Sequence, residues 1–230
     1  CTSTKLAIPE TEGEKLQILY SNAIELVRKK DFVDAAILFE DIERQYPYSK
    51  WSNQAQLMTA FCYFKSQMHE ESINALERFI ALYPSSKKIS YAYYLRALNY
   101  FEQIKDVERD QSLTTKSKQA FYEVVNRYPE SEFADDAYEK IDIINDRLAA
   151  KEIVIARYYH QWISAINRYN KILREYDTSV YTEEALHRLV EIYLSLGLHE
   201  EAKNYASTLG FNFPSSDWYI KSYELVKDLS

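Results

Sequence analysis

Tyr46-Pro47-Tyr48-Ser49, Tyr83-Pro84-Ser85-Ser86, Tyr128-Pro129-Glu130-Ser131 and Phe213-Pro214-Ser215-Ser216 are four copies of one phrase: an aromatic residue, proline, any residue, serine. A fifth copy, Tyr176-Asp177-Thr178-Ser179, lacks only the proline. Subtracting the positions of the aromatics gives steps of 37, 45, 48 and 37 residues, in or just above the range of stacked helical-pair repeats. Proline removes an amide donor and disfavours helix in the residue before it, so a helix reaching each aromatic must stop there. The serine three residues after the aromatic offers a hydroxyl to cap the next helix. Stop and start are thereby written within four residues.

Aligning the five copies on the aromatic exposes three further agreements. Eleven residues earlier stand Ala35, Ser72, Ser117, Ala165 and Ala202; four earlier, Ile42, Phe79, Val124, Ile172 and Leu209; nine later, Ala55, Ala92, Ala137, Ala185 and Ser222. Small residues before and after the turn let two helices approach closely, and the apolar position fills the gap between them. This is the pattern of a tetratricopeptide-like helical hairpin. It predicts an all-α chain, a right-handed superhelical solenoid of five hairpins plus a C-terminal capping helix at Trp218–Leu229, with stability shared between neighbouring repeats.

The same spacing places the boundaries. Residues 1–13 read as a polar tether, 14–128 as three N-terminal repeats offering a peptide groove, and 129–230 as repeats four and five with the capping helix. In repeat one the second helix begins after Lys29-Lys30-Asp31. The extra length of repeat three falls in the charged stretch Ile104–Lys116, read as a long inter-helix loop. That of repeat four falls in Phe133–Tyr159, which has no Gly or Pro and keeps helical apolar spacing, so one long helix is expected there.

Composition narrows the function. The 230 residues are 47% hydrophobic and 27% charged, with 21 Tyr and only 3 Gly, too few glycines for a fold built on many tight hairpin turns. The net charge of -7 removes the broad attraction to nucleic acid that a basic protein has. No run approaches the roughly 20 apolar residues needed to span a bilayer. Cys1 opens the sequence, which means either an arbitrary boundary or processing, and the processing that leaves Cys first is lipoprotein maturation. Cys62 lies in the apolar run Ala60–Phe64 and reads as a small hydrophobe.

Chemistry-bearing constellations are few. His69-Glu70-Glu71 and His199-Glu200-Glu201 begin like a zinc-protease motif, but Ile73 and Lys203 stand where the second ligand belongs. Gly13, Gly197 and Gly210 are isolated, so no phosphate loop forms. Asp135-Asp136 and Glu183-Glu184 follow the turn serines, where carboxylates suit a helix N-terminus. No cofactor, metal site or catalytic residue is expected. The aromatics crowd instead into the first half, and Tyr46, Tyr48, Trp51 and Tyr63 are the candidates for a groove wet on one side. A peptide with a terminal aromatic residue suits such a groove.

Further residues carry a resemblance: Asp146-Arg147-Leu148-Ala149, Glu152, Ala156, Tyr158-Tyr159, Ser164–Arg168 and Ile172–Tyr176, with Arg109-Asp110-Gln111, Gln45-Tyr46-Pro47 and Trp51-Ser52. Over essentially the whole chain these resemble the BamD family, tetratricopeptide lipoproteins of the bacterial outer-membrane-protein assembly machinery. The resemblance implies a lipid (palmitate) anchor on Cys1 and a place at the periplasmic face of the outer membrane. It implies a non-enzymatic scaffold whose N-terminal half receives the C-terminal strand of unfolded outer-membrane proteins, with Tyr46 as a contact. The C-terminal half would hold the periplasmic POTRA domain of BamA through Arg168 and its neighbour Asn167, and other Bam lipoproteins are admitted as partners. Two departures stand out: the turn between Tyr159 and Trp162 is shorter than the family's, and Asp177 replaces a proline, which should soften one helix stop. A Tol-Pal or cell-division repeat protein is the alternative, but it would carry trimerising heptads ahead of the repeats, and none occur here.

Overall fold

The computed structural model describes residues 11–104, 111–158 and 161–229. Cys1, nearly all of the expected tether, Arg109-Asp110 and Tyr159 lie outside the described residues. Those described form eleven helices: α1 Glu12–Lys29, α2 Phe32–Gln45, α3 Ser52–Lys65, α4 His69–Leu82, α5 Ile89–Glu102, α6 Gln111–Arg127, α7 Ala134–Tyr158, α8 Trp162–Glu175, α9 Thr182–Ser195, α10 His199–Asn212 and α11 Asp217–Val226. They pair in chain order as five hairpins, and α11 is the capping helix. Two compact units result, one holding α1 to α6 with α7 up to Ala137, the other running from Tyr138 to the end of α11.

All fifteen positions picked out by the alignment are buried; Ala165 is the most accessible at 4%. In the first unit Phe39, Ile42, Ala55 and Cys62 form one cluster, and Leu57, Ala60, Leu76, Phe79 and Ala92 form the next. In the second, Ala149, Ile153, Ala165, Ile172, Ala185 and Leu189 pack together. Each buried Leu, Ile or Phe contributes about 1.5–3 kcal/mol, so every hairpin rests on a handful of such side chains with small residues bringing the backbones close. The phrase aromatics pack on this core: Tyr83 lies 5.5 Å from Phe79, Tyr128 lies 5.4 Å from Tyr93, and Tyr176 is buried in the cluster around Ile172.

The turn between hairpins works differently from the sequence expectation. In every copy the aromatic amide donates to the carbonyl of the apolar residue four before it, closing the helix, and the serine amide donates to the aromatic carbonyl at 2.9–3.1 Å. The serine is therefore the last residue of a tight turn, which proline at its second position favours. Ser216 alone caps a helix, accepting from the Trp218 amide at 3.1 Å. Trp51, Lys88 and Tyr181 occupy the N-cap positions of α3, α5 and α9 without a side-chain cap bond. Ser86 and Ser179 accept amides within the turn, and the buried Ser49 and Ser131 hydroxyls have no partner among the described residues.

Asp177 does not soften its helix stop. The Tyr176 amide still reaches Ile172 and the Ser179 amide still reaches Tyr176, both at 2.9 Å. Side chains of α7 hold this turn instead: Thr178 Oγ1 donates to Asp142 at 2.9 Å and the Val180 amide donates to Asp146 at 3.0 Å. In repeat three the long loop is also shorter than expected, because Gln111–Lys116 is already α6. Leu113, Thr114 and, one residue beyond the segment, Ser117 stand in helical spacing, with Thr114 and Ser117 buried. The long helix of repeat four is present as α7, 25 residues.

Within hairpins the turn is also a repeated device. Sixteen residues before the aromatic, Lys30, Gln67 and Gly197 all adopt left-handed backbone, with φ of 65°, 59° and 75°. The next residue's amide then reaches back five residues: Asp31 to Leu26, Met68 to Tyr63, Leu198 to Tyr193. This is a Schellman cap, and only the last copy uses the glycine that fits it without strain.

Candidate functional site

The first unit carries an apolar groove of about 400 Å3 between α3, α5 and the turn that precedes α7. Its wall is Leu57, Met58 and Phe61 from α3, Tyr91 from α5 and Phe133. Phe133 is fixed by its ring contacts, 5.0 Å from Tyr94 and 5.4 Å from Tyr91, and Tyr94 donates to Asp136 at 2.5 Å. Burial pushes the Tyr91 phenol up to about 12, so the wall stays uncharged. The rim is polar: Gln54, Ser90 and Glu132, with Lys87 and Lys88 side by side just ahead of α5. This size and lining fit a site for side chains of another polypeptide.

The four aromatics expected in a groove do not share this one. Tyr46, Trp51 and Tyr63 pack around the core of the first hairpin. Trp51 lies 4.5 Å from Tyr20, and Tyr63 donates to Glu40 at 2.8 Å. Tyr48 projects fully into solvent. Residue type alone could not separate them from Phe61 and Tyr91, which lie in the same aromatic stretches but on the open side of their helices. The rim lysines were missed entirely; their signal is two adjacent cations directly after a turn phrase.

In the second unit Arg168, on α8, meets Glu152 of α7. Arg168 Nη1 and Lys171 Nζ each donate to one Glu152 oxygen at 2.7 Å. Glu152 is buried, with its side chain 6% exposed, whereas Arg168 keeps 35%. Burial would push the Glu152 carboxyl up, but the hydrogen bonds from Lys171 and Arg168 outweigh it and hold the group below its ordinary range. Two cations thus converge on one buried carboxylate. Asn167, the preceding residue, is exposed.

Around the start of α8 lies a second cavity of about 290 Å3, with Trp162, Ala165, Tyr169 and Ile192 among its lining. Ile163 and Tyr158 stand exposed near it in sequence, at 75% and 79%. Arg157 and Arg188 both face Glu184, the former donating at 2.5 Å.

The remaining polar residues serve packing. His69 bonds Asn99 at 3.1 Å, and Asn99 in turn donates to Ser72 at 2.9 Å. His187 is buried, 2.8 Å from Ser222, with the Trp218 ring tilted against it at 5.1 Å. Among the described residues no cluster of three metal-ligating side chains occurs, and no helix is long and apolar enough to cross a membrane. Cys62 is free and buried, its thiol pushed by burial up to about 12.

Helical hairpins closed by this turn, with open grooves and no assembled reactive cluster among the described residues, define a tetratricopeptide-repeat protein. Among solved structures the fold is similar to apo RapI (TM-score 0.51, 13% identity, 94% of this chain and 59% of that one) and to the TPR2AB domain of yeast Sti1 in its pHSP90 complex (TM-score 0.50, 10% identity, 94% and 86%). Residues 13–209 match the family described as outer membrane lipoprotein. The chain is 43% identical over 220 residues to the outer membrane protein assembly factor BamD of Caulobacter vibrioides, covering 94% of this chain and 72% of that protein. It is 44% identical to BamD of Rickettsia prowazekii (91% and 85%) and 31% identical to that of Neisseria meningitidis serogroup A (93% and 85%). The chain belongs to the BamD family of outer membrane protein assembly factors.

Proposed function

We infer that this protein is a non-enzymatic scaffold and substrate receptor of outer-membrane β-barrel assembly, anchored by lipid on Cys1 at the periplasmic face of the outer membrane. The C-terminal half holds the periplasmic POTRA domain of BamA, and the N-terminal half receives the C-terminal strand of an unfolded barrel protein. Family membership supports the assembly role. The observation that carries the division of labour is the apolar groove along α3 and α5, a lining suited to the alternate side chains of an extended strand. For the partner-binding half, the support is Arg168: 35% of its side chain stays exposed while it holds Glu152, and an interface arginine offers a planar fork to a carboxylate.

Because Arg168 also braces α8 against α7, a single substitution there confounds folding with binding. The test therefore pairs Arg168→Glu with Glu152→Gln and measures pull-down of BamA together with thermal unfolding. Glu152→Gln removes the charge that Arg168 holds inside the hairpin but keeps the arginine itself, so binding is retained while Arg168→Glu abolishes it. Equal loss of binding in both, tracking equal loss of stability, removes the interface role of Arg168.

A further inference from the structure

The two oxygens of Glu152 are divided between two cations. Oε2 accepts from Arg168 Nη1 and Oε1 from Lys171 Nζ, and among the described residues no other cation meets this carboxylate. Arg168 and Lys171 stand one turn apart on α8, so both reach the same point of α7. A carboxylate only 6% exposed is costly to leave without any counter-charge. Either cation by itself spares Glu152 from that state; having both makes one of them exchangeable.

The two are not equivalent. Lys171 is tied inward: its ammonium lies 5.9 Å from the ring centre of Tyr176, which is buried in the core cluster, and the hydrogen bond to Glu152 pushes its pKa up, so it stays charged. An ammonium is a compact point charge, sufficient for one oxygen, whereas a guanidinium presents a planar fork that matches a whole carboxylate. A fork spent on Glu152 is not offered elsewhere. We propose that Lys171 is a positioning residue for partner binding: by keeping a counter-charge on Glu152, it lets Arg168 turn its fork to a carboxylate of the partner without stranding a buried anion. This rests on the reading of Arg168 as the BamA contact, and adds the residue that makes Arg168 available. Lys171 acts through Arg168 and stays on Glu152 throughout. Without it, Glu152 retains Arg168, the docking-competent arrangement becomes a minor one, and apparent affinity falls by that fraction.

The experiment immobilises purified BamA and measures association and dissociation rates of full-chain variants by interferometry, with thermal unfolding alongside. Lys171→Met keeps the aliphatic stem and removes the charge. It should bind at least about fivefold more weakly, because the competent population is smaller. The loss should lie in the association rate, with dissociation within about twofold of wild type, since the docked contacts are the same. Lys171→Arg, which keeps the charge, should bind as the wild type does. The deciding arm is Lys171→Met/Glu152→Gln: with no buried charge to hold, Arg168 is released and association returns to the rate of Glu152→Gln alone. Adding Lys171→Met to Arg168→Met should cost nothing more, as expected of residues acting in series.

Unchanged association in Lys171→Met overturns the proposal. So does a loss that Glu152→Gln fails to restore, which would make Lys171 a contact in its own right or a brace of α8. If Arg168→Met binds as wild type does, Arg168 is not the contact and both readings fall; if it loses binding while Lys171→Met does not, only the positioning role falls. Should Lys171→Met unfold near the assay temperature, Lys171→Gln, which also removes the charge but keeps a donor, takes its place with the same expected and overturning results.

Discussion

Glu152 on α7 and Arg168 on α8 are joined at 2.7 Å, and the carboxylate is far more buried than the guanidinium that answers it. The pair thus has an inner end that stabilises the hairpin and an outer end that a partner can reach. Lys171 on the same carboxylate means that loss of Arg168 leaves Glu152 half-compensated. Since Arg168 is over a third exposed, solvent screening reduces its worth, and Arg168→Ala should cost roughly 1–2 kcal/mol, below the 3–5 of breaking a fully buried pair. Urea unfolding checks this value, and Glu152→Ala, which takes the shared carboxylate from both cations, should cost no less.

The turn serines are predicted to be unequal. Ser216→Ala removes a helix cap and should cost about 1 kcal/mol. Ser49→Ala and Ser131→Ala delete buried hydroxyls with no partner among the described residues, so they should be neutral or slightly stabilising. Three single variants under one denaturant titration decide the matter; a uniform loss would show that the hydroxyls all act as caps.

The three left-handed cap positions give an opposite-signed pair. Lys30→Gly and Gln67→Gly relieve a strained backbone and should each raise stability by about 0.5–1 kcal/mol, whereas Gly197→Ala should lower it by about 1. At Gly197 an added Cβ meets nothing within 4 Å, so any loss there reports the backbone alone. Midpoint shifts at constant m-value are the readout.

Gly210 tests close approach. A Cβ on it would come within 2.4 Å of the Tyr219 ring, where α10 meets α11. Helix propensity favours alanine by about 1 kcal/mol, but overpacking costs typically 1–3. Gly210→Ala is therefore expected to destabilise, and the double variant Gly210→Ala/Tyr219→Ala should recover the propensity gain.

Acid should loosen the capping helix first. His187 is buried between Ser222 and Trp218, and burial lowers its pKa, with Arg188 and Lys221 lowering it further against the pull of Glu191 and Glu184. A lowered folded value means the unfolded chain binds the proton more readily. The stability is thus complete above the ordinary value of 6.5 and declines as pH falls through the folded value. Glu152, also lowered, adds a second decline below the ordinary carboxylate range. Hydrogen exchange of α11 amides between about pH 7 and 5 should show faster opening in acid, with the slope flattened by His187→Gln.

Local chemistry decided much of this protein before any packing. The proline phrases dictate where helices stop because the donor they remove is lost in any fold, and the small and apolar positions around them are buried in every copy. Long helix α7 was legible for the same reason: nothing within it breaks the period. What the chain alone left open were matters of direction and partnership. Tyr63 and Phe61 are near neighbours of one type in one helix, yet Tyr63 turns to Glu40 and Phe61 to a groove, a choice made by which hairpin packs on which face. The serines looked alike, but the turn geometry gives each hydroxyl a different set of amides within reach. Glu152, Arg168 and Lys171 likewise became a unit only when α7 and α8 folded side by side, since a charge acquires its partner from three-dimensional proximity, which sequence separation does not encode.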